Sequence, residues 1–256
     1  EKAKLEHMAE TLPAMIHIIS DDPDGLKGIN QKKVSEVGQK RYPIMKPIQD
    51  KMANKYQWCI AAVPGKKWAK KIFPELRAST AMEKLWESIL YTSRADGDDP
   101  VEAWNQHNLD LRERCDYINS LGATELRYHS SNGTDFKVGL IPEAMFLGGS
   151  ENTIGGVEFN PNIPSEEVFT SPMRGKAEGT VVATRPLSYR GELIESFSIT
   201  FKDGKAVDVK AEKNEELLRK MISMDENAAY LGECALIPQD SPIQNTGITF
   251  YETLFD

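Results

Sequence analysis

Short apolar runs alternate with helical stripes through the first half of the chain, and after Gly122 the apolar period changes to two. Residues 14–19 are apolar apart from His17 and are ended by Asp21-Asp22-Pro23-Asp24-Gly25, the pattern of a buried strand followed by a turn. Helices are predicted over 30–40 and 45–56, and 58–63 reads as a second buried strand. Pro64-Gly65 turns that strand into a helix over 66–72, which Pro74 limits. Strand, helix, strand, helix implies an α/β layer with parallel strands. A helix over 80–93 carries Met82, Leu85, Trp86, Ile89 and Leu90 on one side. The clearest helix covers 100–121, with Asp99 to cap it, Pro100 in its first turn and Gly122 at its stop.

Beyond Gly122, segments 125–129 and 135–140 flank Asn132-Gly133, a hairpin signal. Segments 179–187, 192–201 and 205–211 form a meander whose second turn is Asp203-Gly204. In the middle one, Phe197, Ile199 and Phe201 alternate with Ser196, Ser198 and Thr200, so one face is buried and the other wetter. Helices over 212–223 and 225–231 then lead to Glu233. The fold class is mixed: the remainder of an N-terminal α/β domain with connecting helices over 1–122, then a β-rich α+β domain over 123–256.

Composition narrows the function classes. The chain has 256 residues, 40% hydrophobic and 27% charged, with a net charge of −8 and dispersed basic residues. That excludes broad electrostatic binding to nucleic acid or anionic lipid. Lys66-Lys67-Trp68-Ala69-Lys70-Lys71 reads as a solvated helix face. No apolar stretch is long enough for a transmembrane helix. Cys59, Cys115 and Cys234 are odd in number and widely spaced, which suits a reducing, cytoplasmic setting without disulfides. The first residues read like the inside of a helix, and the last lie within an apolar-rich run, as though both ends were cuts through a larger protein.

Neither a phosphate-binding loop nor a dinucleotide fingerprint nor a Gly-x-Ser-x-Gly elbow occurs. His7, His17, His107 and His129 form no His-Glu-x-x-His pair; His17 in a strand and His107 in a helix read as satisfied, partly buried residues. Gly148-Gly149 and Gly155-Gly156 bracket a loop and strand edges. Glu166-Glu167 sits between Pro164 and Pro172 in an extended or turned segment. Adjacent residues on a strand point to opposite faces, so only one of the two can enter a shared site. By pattern alone they read as a surface acidic pair. Glu233 follows Gly232 and precedes a buried-looking strand start, where a carboxylate needs a cation, either Arg/Lys or a metal.

Wording adds what spacing does not. The runs 160–172 (Asn-Pro-Asn-Ile-Pro-Ser-Glu-Glu-Val-Phe-Thr-Ser-Pro), 178–187, 231–238 (Leu-Gly-Glu-Cys-Ala-Leu-Ile-Pro) and 245–256 resemble the aminopeptidase T and aminopeptidase S family of metallopeptidases, as do 68–74 and 99–108. The resemblance covers essentially the whole chain. It implies a cytoplasmic aminopeptidase, often a homodimer, acting on peptides with a free N-terminus. It also implies two divalent ions (zinc, cobalt, magnesium or manganese). Carried over by position, Glu167 binds one ion, and Glu233 lies between the two and serves in catalysis. The family's other ligands would follow Asp256, so 123–256 would be a truncated metallopeptidase domain. Residues 1–256 alone are then expected to bind metal weakly and to be inactive. The competing reading is a non-catalytic module that binds peptides or partners on the same fold.

Overall fold

The computed structural model describes residues 1–255. Its helices are α1 (Lys2–Thr11), α2 (Gln31–Met52), α3 (Lys66–Ile72), α4 (Ala78–Thr92), α5 (Pro100–Ser120), α6 (Glu215–Ile222) and α7 (Pro242–Thr246). Its strands are β1 (Met15–Ile19), β2 (Trp58–Ala62), β3 (Glu125–His129), β4 (Asp135–Leu140), β5 (Glu151–Asn152), β6 (Glu158–Phe159) and β7 (Val168–Thr170). β8 (Pro172–Val182), β9 (Leu187–Tyr189), β10 (Glu192–Ile194), β11 (Ser198–Lys202), β12 (Lys205–Lys210) and β13 (Cys234–Leu236) complete the set.

The chain folds as two compact units, residues 1–93 with 150–164, and residues 94–149 with 165–256. The first division lies at Ser93, earlier than the boundary expected near 122. The reason is the stripe of α5, whose Leu111 and Cys115 pack with Leu140, Phe146 and Val168 of the second unit.

In the first unit, β1 and β2 pair in parallel as the alternation predicts, Met15 opposite Trp58 and Ile19 opposite Ala62. The segment 161–163 runs parallel along the other edge of β2: Ile60 N–H donates to Pro161 O at 2.7 Å, and Ile163 N–H to Ile60 O at 2.9 Å. Two expectations fail here. β1 is not buried, with Ile16 73% and Ile18 56% exposed, and His17 is exposed as well. Among the described residues β1 has only β2 beside it. The helices predicted over 30–40 and 45–56 are one helix, α2, running through Pro43 and Pro47. Both prolines are exposed, so solvent satisfies the carbonyls they leave without donors, while buried Ile48 and Met52 anchor the far end. The lysine-rich face of α3 is more than solvated: Lys67 pairs with Asp22 at 2.8 Å and Lys71 with Asp24 at 2.9 Å, fastening the turn after β1.

The second unit is built on a five-stranded sheet ordered β12-β11-β8-β4-β3. Phe136, Val138, Ala177, Phe201 and Ala206 form its core. The Asp203-Gly204 hairpin forms as predicted, with φ of 51° and 79°, the left-handed pair that a two-residue turn needs. The single strand expected over 192–201 is two, because Ser196 sits at φ 50° and breaks it. Its first part, β10, pairs with β9 in a separate hairpin, and its second, β11, joins β8 and β12. Residues 225–231 form turns rather than a helix, since the Asp225 carboxylate accepts from the backbone of Asn227 and Ala228 at 2.8 and 2.9 Å. α5 is capped as expected: the Asp99 side chain accepts from Glu102 N–H at 3.0 Å.

Candidate functional site

β7 and β13 create the site. Their antiparallel register places Cys234 opposite Thr170, Ala235 opposite Phe169 and Leu236 opposite Val168. Val168, Cys234 and Leu236 pack into the cluster around Leu111 and Phe146. Side chains alternate along a strand, so Phe169 and Ala235 face the other way. One residue before each strand, Glu167 and Glu233 fall on that second face and flank the Phe169–Ala235 pair.

The neighbouring backbone is fixed by specific bonds. Leu147 and Phe169 exchange N–H···O bonds of 2.9 and 2.8 Å, which adds a further rung beside β7. The Asn119 side chain accepts from Phe146 N–H at 2.8 Å and donates to Phe146 O at 3.1 Å. A Cβ on Gly148 would lie 2.6 Å from the carbonyl oxygen of Glu167. The glycine therefore lets this segment approach the backbone of Glu167 itself, a tighter role than the loop expected for it.

The two glutamates of the acidic pair diverge. Glu166 is buried, 5% exposed. Its carboxylate takes both terminal nitrogens of Arg94, with Nη2 3.0 Å from Oε2 and Nη1 on Oε1. Glu167 is half-buried and Glu233 exposed. Among the described residues neither of these two has an ion-pair partner. Burial, and then the charge of Glu233, push the Glu167 carboxyl above its usual range. The two candidate residues thus lie within electrostatic reach of each other, and among the described residues neither meets a cationic side chain.

That is the donor chemistry of a hard divalent ion, which takes carboxylate oxygens and relieves like-charge repulsion. Among the described residues no group of three or more His, Cys, Asp and Glu side chains could hold a metal. Burial, and then the charge of Glu233, push the thiol of neighbouring Cys234 up, which disfavours its thiolate form.

Sequence reasoning did not find the partners of Glu166. Arg94 follows α4 with no motif around it, and His107 was read correctly as satisfied but without its partner. His107 Nε2 donates to Ser165 O at 2.7 Å, and its ring meets Trp104 edge-on, centroids 5.4 Å apart. Burial above all, with the charges of Arg94 and Arg114, holds its pKa below the ordinary 6.5, against the opposing pull of Ser165 and Glu166. A base with a lowered pKa is protonated first in the unfolded chain. The stability tied to neutral His107 is whole above its ordinary 6.5 and is lost as pH falls below it. Denaturant midpoints measured between about pH 7.5 and 5 are expected to fall less steeply in His107→Gln than in the wild type.

Comparison with known proteins decides the family. The family model for thermophilic metalloproteases (M29) matches residues 1–256. The chain belongs to the M29 family. Among its M29 relatives, aminopeptidase AmpS of Bacillus subtilis (strain 168) is 38% identical over 255 residues, covering 98% of this chain and 61% of that protein. Aminopeptidase T of Thermus thermophilus is 40% identical over 244 residues, covering 95% of this chain and 60% of that protein. The solved structure of wild-type AmpT from Thermus thermophilus superposes with a TM-score of 0.90 at 37% identity, over 100% of this chain and 63% of that one. The mixed α and β fold is therefore the M29 fold, and this chain spans about 61% of the length of the Bacillus relative. Among the described residues no helix is long and apolar enough to cross a membrane.

Proposed function

We propose that this chain is part of a metal-dependent aminopeptidase, removing N-terminal residues from peptides with two divalent ions. The observation that carries the reading is the Glu167–Glu233 pair, two carboxylates on one face of the β7–β13 ladder whose charges interact in an M29 chain. Residues 123–256 carry this partial site, so the active-site domain corresponds to most of the second compact unit. Glu167 binds one ion, and Glu233 is shared between the two; oxygen donors of this kind accept zinc, cobalt, magnesium or manganese. Such a pair of ions, when bound, supplies an activated water and polarises the scissile carbonyl. Glu233, exposed to solvent, takes the proton that the attacking water loses and delivers it to the leaving amine. Two carboxylates do not close a coordination shell, so residues 1–256 alone bind metal weakly and are inactive. Three free cysteines support a reducing, cytoplasmic setting, and the family resemblance supports a homodimer.

The test is chelation of the full-length protein. Hydrolysis of a leucyl substrate is expected to vanish on dialysis against a chelator, to return with cobalt or zinc, and to fail on the N-acetylated substrate. Hydrolysis indifferent to chelation would overturn the metal-dependent reading. Equal hydrolysis of the acetylated substrate would overturn the aminopeptidase reading.

A further inference from the structure

We infer that Arg94, Glu166 and His107 are positioning residues for Glu167, holding the backbone before it so that its carboxylate points into the metal site. This inference rests on the reading of Glu167 as a metal ligand. Two consecutive residues ahead of Glu167 are held through independent contacts. The Ser165 carbonyl accepts from His107 Nε2 at 2.7 Å, and the Glu166 carboxylate is gripped by both terminal nitrogens of Arg94. The same His107 nitrogen lies 3.8 Å from Glu166 Oε1, so the contacts meet at one point.

The holders are themselves held. The Glu166 side chain is 3% exposed and that of His107 5%, and Trp104 fixes the imidazole ring edge-on. Arg94 keeps a left-handed backbone at φ 52°, a conformation that a residue with a Cβ adopts only where its surroundings require it. A planar, bidentate guanidinium–carboxylate pair fixes direction as well as distance. With Glu166 locked to one side, strand alternation turns Glu167 to the other. On the far side of β7, Gly148 abuts the Glu167 carbonyl, where even a Cβ would come within 2.6 Å. Glu167 is therefore confined both along its chain and across it, which a solvated acidic residue would not require.

The test measures Co2+ affinity and the visible Co2+ spectrum of the full-length protein alongside its thermal stability. Arg94→Ala and His107→Phe are expected to weaken Co2+ binding by about 10–100-fold, the usual cost of losing an outer support, and to alter the ligand-field bands. His107→Gln, which keeps a donor for the Ser165 carbonyl, should restore most of the affinity. Leu218→Ala, in the separate core around Ile194 and Val209, is the control for destabilisation alone. If it lowers affinity as much as Arg94→Ala at equal stability loss, or if Arg94→Ala binds Co2+ like the wild type, the inference fails. Should Arg94→Ala not fold, Glu166→Gln, which preserves volume and breaks the charge pair, carries the same expectation and the same refutation. Glu167→Gln separates the two levels: unchanged Co2+ binding in that variant would sink the ligand reading itself.

Discussion

Glu233→Gln lowers peptide hydrolysis by about two to four orders of magnitude, the usual contribution of a positioned acid–base group, even at metal concentrations high enough to refill the site that the lost carboxylate weakens. Gln preserves the shape of the side chain and one acceptor oxygen, but it cannot carry a proton. The expectation follows from where Glu233 lies. It is exposed, unpaired among the described residues, and set one residue before β13 on the same face as Glu167. An exposed carboxylate can exchange its proton with solvent between turnovers, whereas half-buried Glu167 is the poorer relay. Metal content and turnover must be measured together. Lost turnover with full metal content assigns the proton to Glu233; joint loss of both reduces it to a ligand. Unchanged turnover would remove Glu233 from the chemistry.

Glu167→Gln removes metal-dependent stabilisation and, in the metal-free protein, raises stability at neutral pH. A ligand at about one hundred times its dissociation constant stabilises the folded state by about 2.7 kcal/mol, and a site stripped of a carboxylate forfeits most of that gain. The rise without metal has a separate cause. Burial and Glu233 both push the Glu167 carboxyl upward from 4.5. For an acid that means the fold resists ionisation: the cost is fully present above the raised value and absent below the ordinary one. The variant should therefore melt higher than chelated wild type near pH 7.5, and the advantage should vanish near pH 4, values set by about the ordinary carboxylate range. A variant that melts lower than chelated wild type at neutral pH would show that Glu167 has a compensating cation.

Local signals were legible where one residue decides the outcome. Asp99 caps α5 by its own side chain, Asp203-Gly204 closes its hairpin, and β1 and β2 pair in parallel. The misread elements were decided elsewhere in the fold. Ser196 breaks a strand whose apolar alternation continues straight through it, and α2 persists through two prolines because Ile48 and Met52 are buried. The candidate site divides the same way. Strand alternation alone says that Glu166 and Glu167 part, but it does not say which turns inward to a partner. That answer lies with Arg94, which reaches Glu166 across 72 positions of sequence, a separation at which no local pattern survives. The shared face of Glu167 and Glu233 likewise needs the β7–β13 register; before that, the apolar strand start after it marked Glu233, and only the wording shared with metallopeptidases singled out Glu167.

The excursion of residues 150–164 into the first unit sets an order on synthesis. A ribosome that has released residues 1–93 has not yet made the strip that lies along β2, where Ile60 meets Pro161 and Ile163. The open flank of β2 must wait through translation of α5, β3 and β4, exposed to any other extended segment nearby. Early-emerging chains should therefore depend on chaperones, and neither unit can be produced alone by a single cut in the gene.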